Sequence, residues 1–118
     1  MPAPPTKLPR FDIWWVNLPV QEGHAQSGKR PAVIAADEPD NRFSIVLPIT
    51  TNLDRSRFKG TMRVEPDAEN GLREASVVMA FQIRYLDRNR LSERIGHLNN
   101  ADSATLDGLM ADLLGFDG

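Results

Sequence analysis

The chain has 118 residues, 41% of them apolar, a formal charge of −2 and no cysteine. That length holds one domain with a small core and leaves no room for a second. The missing cysteine removes disulfides, thiol nucleophiles and thiolate metal sites and suits a reducing cytoplasm, which is the expected location. No apolar run approaches the roughly 18 residues of a membrane span and the N-terminus lacks a signal-peptide pattern, so no membrane partner is expected.

Residues 1–9 contain four prolines and are expected to form a disordered leader ahead of a single domain over residues 10–118. Residues 11–18 read as a strand, with Phe11, Ile13 and Trp15 on one face and Trp14, Val16 and Leu18 on the other. Apolar residues on both faces imply cover on both sides, from the chain itself or from a second subunit. Adjacent Trp14 and Trp15 point to opposite faces, so at most one could stack on a nucleic-acid base, and core packing is the expected role of both. Residues 19–29 form a polar, glycine-bearing loop of the kind that lines sites. His24 on it titrates near neutrality and is a candidate acid, base or substrate contact.

Two short β-branched runs, residues 32–36 and 43–49, flank the turn Asp37-Glu38-Pro39-Asp40-Asn41 and read as an antiparallel hairpin. Such a hairpin brings Arg30 and Thr50 to its open end, where a guanidinium fork and a hydroxyl suit a phosphodiester. Pro48 has no ladder donor, so regular pairing should break just before Thr50 and turn Thr50 and Thr51 toward a cleft. Arg42, Arg55, Arg57, Lys59 and Arg63 meet only Asp54 between them, which makes a local basic loop on a mildly acidic body. Such a loop can engage a few phosphates without coating RNA.

Short strands over 61–65 and 76–80 follow, separated by a turn at 66–71. Next come a helical or 3₁₀ turn opening at Phe81 and a brief strand ending near Asp87. Residues 93–98 form a last strand, with His97 in a structural role. From Asp102 onward Leu106, Leu109, Met110, Leu113 and Leu114 recur at helical spacing, with Asp102 the expected N-cap and Gly115 the stop. The whole reads as mainly β with a C-terminal α-helix. The chain carries no HExxH, CxxC, P-loop, dinucleotide-binding or nucleophile-elbow motif, so no metal or cofactor is expected.

Five motifs occur in order: Gly23-His24-x-Gln26-x-Gly28-x-Arg30-Pro31, Pro48-Ile49-Thr50, Asn70-Gly71-Leu72, Gln82-Ile83-Arg84-x-Leu86-Asp87-x-x-Arg90-Leu91 and Arg94-Ile95-Gly96-x-Leu98. Together, over residues 10–115, they resemble the MazF/PemK family of toxin endoribonucleases of type II toxin-antitoxin systems. The resemblance implies an SH3-like small barrel, a homodimer with RNA grooves at its interface and neutralisation by a cognate antitoxin. It also implies metal-independent cleavage of single-stranded RNA (mRNA), with the substrate's 2′-hydroxyl as nucleophile. Arg30 and Thr50 would then be catalytic, and His24, Gln26, Thr51, Arg57, Lys59 and Gln82 would bind substrate. The general base stays open between His24 and a water. Ala25 and Phe81 stand where many family members carry an acidic residue. The alternative is a non-catalytic barrel that only binds RNA or an antitoxin, or one like the related CcdB toxins. Against the latter, the chain ends Phe116-Asp117-Gly118 rather than in the Trp-Gly-Ile associated with that subfamily.

Overall fold

The computed structural model describes residues 6–20 and 28–116. Its strands are β1 (Asp12–Leu18), β2 (Gly28–Glu38), β3 (Phe43–Thr50), β4 (Thr61–Val64), β5 (Ser76–Met79), β6 (Arg84–Asp87) and β7 (Leu91–His97), followed by the helix α1 (Asn100–Leu114). All the strand pairings are antiparallel. The expected hairpin is β2 and β3, joined by the 3₁₀ turn Pro39–Asn41. Pro39 sets the first turn dihedral, and Arg42 closes the turn in the left-handed region at φ 60°, its N–H donating to the Pro39 carbonyl.

The hairpin register runs as far as Ala32 opposite Pro48. Ile49 and Thr50 then pair with Val78 and Val77 of β5. The proline, with no N–H to give, sits where β3 passes from one group of neighbours to another. Near its start β3 also pairs with β6, Phe43 opposite Asp87 through Val46 opposite Arg84. The strand order is β4-β5-β3-β2-β1-β7, with β6 added on β3. The sheet is not closed: among the described residues no ladder joins β4 to β7, as a fully closed barrel would require. It nevertheless wraps one core. Met62 and Val64 of β4 pack in the same cluster as Ile13 of β1, Val33 of β2, Leu47 and Ile49 of β3 and Leu106 of α1.

Alternation along β2 and β3 gives the sheet a second apolar face. Ala32, Ile34 and Val46 join Val16 and Leu18 of β1 and Leu86 of β6, with Leu8, Trp14 and Leu91 packed at the margin. Both faces of β1 are therefore covered within the chain, Ile13 on one and Val16 on the other, and the doubly apolar strand does not call for a second subunit. Of the expected leader, residues 6–9 are described, and they are tied down. The Leu8 N–H donates to Asp37 Oδ2 at 2.7 Å, and Arg88 Nη2 donates to the Thr6 carbonyl at 2.9 Å. Asp37 is buried, also accepts from Ser44 Oγ at 2.6 Å, and has Arg88 Nε 3.0 Å away. That last contact is ionic, because the N–H does not line up for a hydrogen bond.

The helix begins one turn earlier than the acidic residue chosen from sequence. Asn99 is the N-cap, accepting the Asp102 N–H at 2.7 Å, and Asp102 lies in the first turn, where its charge suits the helix dipole. Gly115, at φ 79°, ends the helix as expected, its N–H donating to the Ala111 and Asp112 carbonyls.

Candidate nucleic-acid interface

The groove nearest the hairpin's open end occupies about 410 Å³, and its walls include Trp15, Pro31, Thr51, Leu72, Glu93 and Arg94. Five segments build it, from β1, β2, the residue after β3, residues 71–76 and β7. β1 supplies Trp15, half-buried, with the Lys29 ammonium 5.4 Å from its ring centre. Trp14 packs against the second core cluster instead, its indole N–H 3.3 Å from Asp12 Oδ2. One tryptophan is thus committed to packing, and the other borders an open groove that only the β1 and β7 pairing creates.

The opposite wall is held by the Asn70-Gly71 turn. Asn70 is fully buried, accepts the Asp67 and Leu72 N–H groups and donates to the Glu65 carbonyl. Gly71 sits at φ 68°, and a Cβ there would collide with the Ile95 carbonyl; one at Gly96 would come within 2.5 Å of the Asn70 backbone. These two glycines let the turn lie directly on β7. Asp67 accepts from the N–H groups of Asn70 and Glu69 and from Asn99 Nδ2. The Asn70 N–H first, and then the Asn99 amide, hold its carboxyl below the usual carboxylate range.

Arg30 is exposed on β2, opposite Val16 of β1. It and Thr50 each lie two residues beyond the Ala32 and Pro48 pair, in the direction of the open end. Thr50 is only 6% exposed, and its Oγ1 accepts the Asn52 N–H at 3.2 Å. This leaves the hydroxyl held in place with its own proton available to an acceptor. Thr51 is exposed on the groove wall, and half-buried Pro31, next to Arg30 in the chain, also lines it. His24 and Gln26 lie outside the described residues, as does Ala25. Arg57 and Lys59 are exposed on the loop after Thr51, and Gln82 is half-buried at the end of the 3₁₀ turn Ala80–Gln82. Of these residues Thr51 lines the groove, Arg30 and Thr50 are chain neighbours of its lining residues Pro31 and Thr51, and Arg57 lines a second hollow.

Several charged residues of the motifs hold the frame. Arg84 is buried and donates to the Pro19 carbonyl at 2.8 Å, fixing the chain where it leaves β1, and burial lowers its pKa. Arg94 and His97 both contact the buried Asp12, His97 through Nδ1 at 2.9 Å. Trp15, expected to pack in the core, and Leu72 and Glu93, given no role of their own, are groove residues that sequence reasoning did not place there. The doubly apolar pattern of β1 hid the first, and the other two become neighbours only through long-range pairing.

A family model described as PemK-like, MazF-like toxin of type II toxin-antitoxin system matches residues 9–114. The chain is 34% identical over 95 residues to Endoribonuclease EndoA of Bacillus subtilis, spanning 77% of this chain and 80% of that protein. It is 32% identical over 94 residues to Endoribonuclease MazF of Staphylococcus saprophyticus, spanning 77% and 78%. Among solved structures it is similar to MazF of Deinococcus radiodurans, with a TM-score of 0.75, 25% identity and coverage of 95% of this chain and 100% of that one. It is also similar to a chain of the MazE-MazF structure from the same organism, with a TM-score of 0.67, 27% identity and coverage of 92% and 96%.

Proposed function

Because this chain belongs to the family of PemK-like, MazF-like toxins of type II toxin-antitoxin systems, we propose that it is an endoribonuclease that cuts single-stranded RNA at chosen sequences. What supports this reading is the hairpin register, in which Arg30 and Thr50 each lie two residues beyond the Ala32 and Pro48 pair, next in the chain to the groove residues Pro31 and Thr51. The RNA itself supplies the nucleophile. Its 2′-oxygen attacks the adjacent phosphorus, the bond to the 5′-oxygen breaks, and the products are a 2′,3′-cyclic phosphate and a 5′-hydroxyl. The 2′-proton goes to His24 or to a water, and the leaving 5′-oxygen takes up a proton. Arg30 balances the charge that grows on the phosphoryl oxygens, and Thr50 donates a hydrogen bond to one of them. Thr51, Gln26 and Gln82 contact the bases, while Arg57 and Lys59 contact the flanking phosphates.

The protein works as a cytoplasmic homodimer of barrel-like subunits and is neutralised by a cognate antitoxin. Support for the antitoxin is the likeness to a chain of a MazE-MazF structure. An acidic antitoxin segment would meet Arg30 and the Arg55, Arg57 and Lys59 loop as RNA phosphates do. The deciding experiment incubates purified protein with a long single-stranded RNA in EDTA. Cleavage should persist and leave cyclic phosphate and 5′-hydroxyl ends, and an all-DNA strand should stay intact. A 3′-hydroxyl product that forms only with Mg²⁺ would overturn the mechanism.

A further inference from the structure

A second hollow lies on the loop that leaves β3. The Asn52 N–H donates to Thr50 Oγ1, and the Asn52 side chain in turn accepts the Asp54 N–H at 3.2 Å, so the loop is keyed to the Thr50 hydroxyl. The hollow occupies about 250 Å³ and is lined by Asn52, Asp54, Arg55, Arg57 and Phe58. The Phe58 ring is 40% exposed, with the guanidinium carbons of Arg57 and Arg55 5.1 and 5.9 Å from its centre. Phe81, 41% exposed, stands beside it with ring centres 6.3 Å apart and planes tilted by 49°. Gly60 allows this approach. At φ 77° it accepts the Phe81 N–H at 3.1 Å, and a Cβ in its place would meet Phe81 Cβ at 3.0 Å.

Two half-exposed phenylalanines stand side by side, and two guanidiniums lie over the Phe58 ring, so apolar surface and positive charge meet in one hollow. Single-stranded RNA satisfies both features, because bases stack on aromatic rings and on guanidinium planes while the guanidinium forks take phosphate oxygens. We propose that this hollow is a nucleotide subsite for the substrate RNA, with a base stacked on Phe58, its phosphate held by Arg55 and Arg57, and Phe81 extending the shelf toward Gln82. The Asp54 carboxylate on the wall repels phosphate and leaves the arginine side as the path of the backbone. Since the loop is keyed to Thr50, a nucleotide seated here would fix the register of the strand at the scissile phosphate.

The subsite rests on the endoribonuclease reading, and two readouts separate them: cleavage of a long single-stranded RNA, and anisotropy of a fluorescein-labelled 2′-O-methyl oligoribonucleotide of mixed sequence, which has no 2′-hydroxyl to attack. Phe58→Leu keeps an apolar side chain but no ring. It should raise KM and weaken probe binding on the order of ten-fold, with kcat changed far less. Phe58→Tyr should restore both. Arg57→Gln should reduce the slope of log affinity against log salt by about 0.7, the share of one phosphate. If wild-type protein cuts RNA and folded Phe58→Leu matches it in KM and probe binding, the subsite is wrong and the activity stands. If kcat and thermal stability fall together while KM holds, the ring is only a staple for the loop and the proposal fails. Should Phe58→Leu not fold, Phe58→Tyr decides, and a ten-fold loss of probe binding there overturns the subsite. Probe binding that depends on Phe58 in a protein that cuts no RNA would uphold the subsite and overturn the endoribonuclease reading.

Discussion

On the proposed mechanism Arg30 balances charge on the phosphoryl oxygens, so Arg30→Ala should lower the cleavage rate by about 10² to 10³, the loss seen when one oxyanion donor is deleted. Arg30→Lys should recover part of it, since an ammonium keeps the charge and loses the fork. Thr50→Ala should cost less in rate but about 1 kcal/mol in stability, because the Asn52 N–H loses its acceptor. Thr50→Ser keeps the hydroxyl and should approach wild type in both, as steady-state kinetics and urea unfolding would show. Two of the five motifs are explained by backbone contact instead. Gly96→Ala would drive a methyl into the Asn70 backbone, and a cost of about 3 kcal/mol or more is expected in urea unfolding, at the upper end for overpacking because backbone cannot yield as a side chain does. Sequence alone could not separate these glycines from the Arg30 motif, since both kinds of motif look alike until the partner strand is known.

At the scale of elements, the β2 and β3 hairpin was legible because turn residues and β-branched runs agree on one arrangement, but the break expected at Pro48 is a change of partner: Thr50 stays in the ladder, opposite Val77, and is buried. The helix was legible by period, but its start was not. Asn99, Asn100 and Asp102 are all good capping residues, and only the hydrogen bond from the Asp102 N–H to Asn99 chooses among them. Asn99→Ala should therefore destabilise the protein by about 1 kcal/mol, and it also removes the Nδ2 donor to Asp67. Gly108→Ala, where a Cβ meets no atom within 4 Å, should stabilise by up to about 1 kcal/mol in the same measurement. Asp67 couples the turn to the helix start and gives it a pH dependence. Its folded pKa lies below the ordinary 3.8, so its contribution is complete above that value and is lost as the pH falls through the lower folded pKa. Thermal melts from pH 5 to pH 2 should fall less steeply for Asp67→Asn than for wild type.

For the molecule as a whole, strand patterning and one helical period sufficed for a small β domain with a C-terminal helix, but the way the sheet curls was not readable. The curl depends on β4 and β1 sharing one cluster, and those strands lie far apart in the strand order. Sedimentation at micromolar concentration should give a dimer. The cognate antitoxin and the 2′-O-methyl RNA should displace each other, whereas simultaneous binding without mutual loss would place their sites apart. The pairing of β1 with β7 joins Asp12 to His97, almost the full length of the domain. Closing so long a loop is slow and comes late. On a ribosome, the hairpin holding Arg30 emerges early, but the wall of Glu93 and Arg94 cannot dock until β7 has left the exit tunnel. The groove therefore stays unfinished, whatever the state of the hairpin, until β7 has been made and paired with β1.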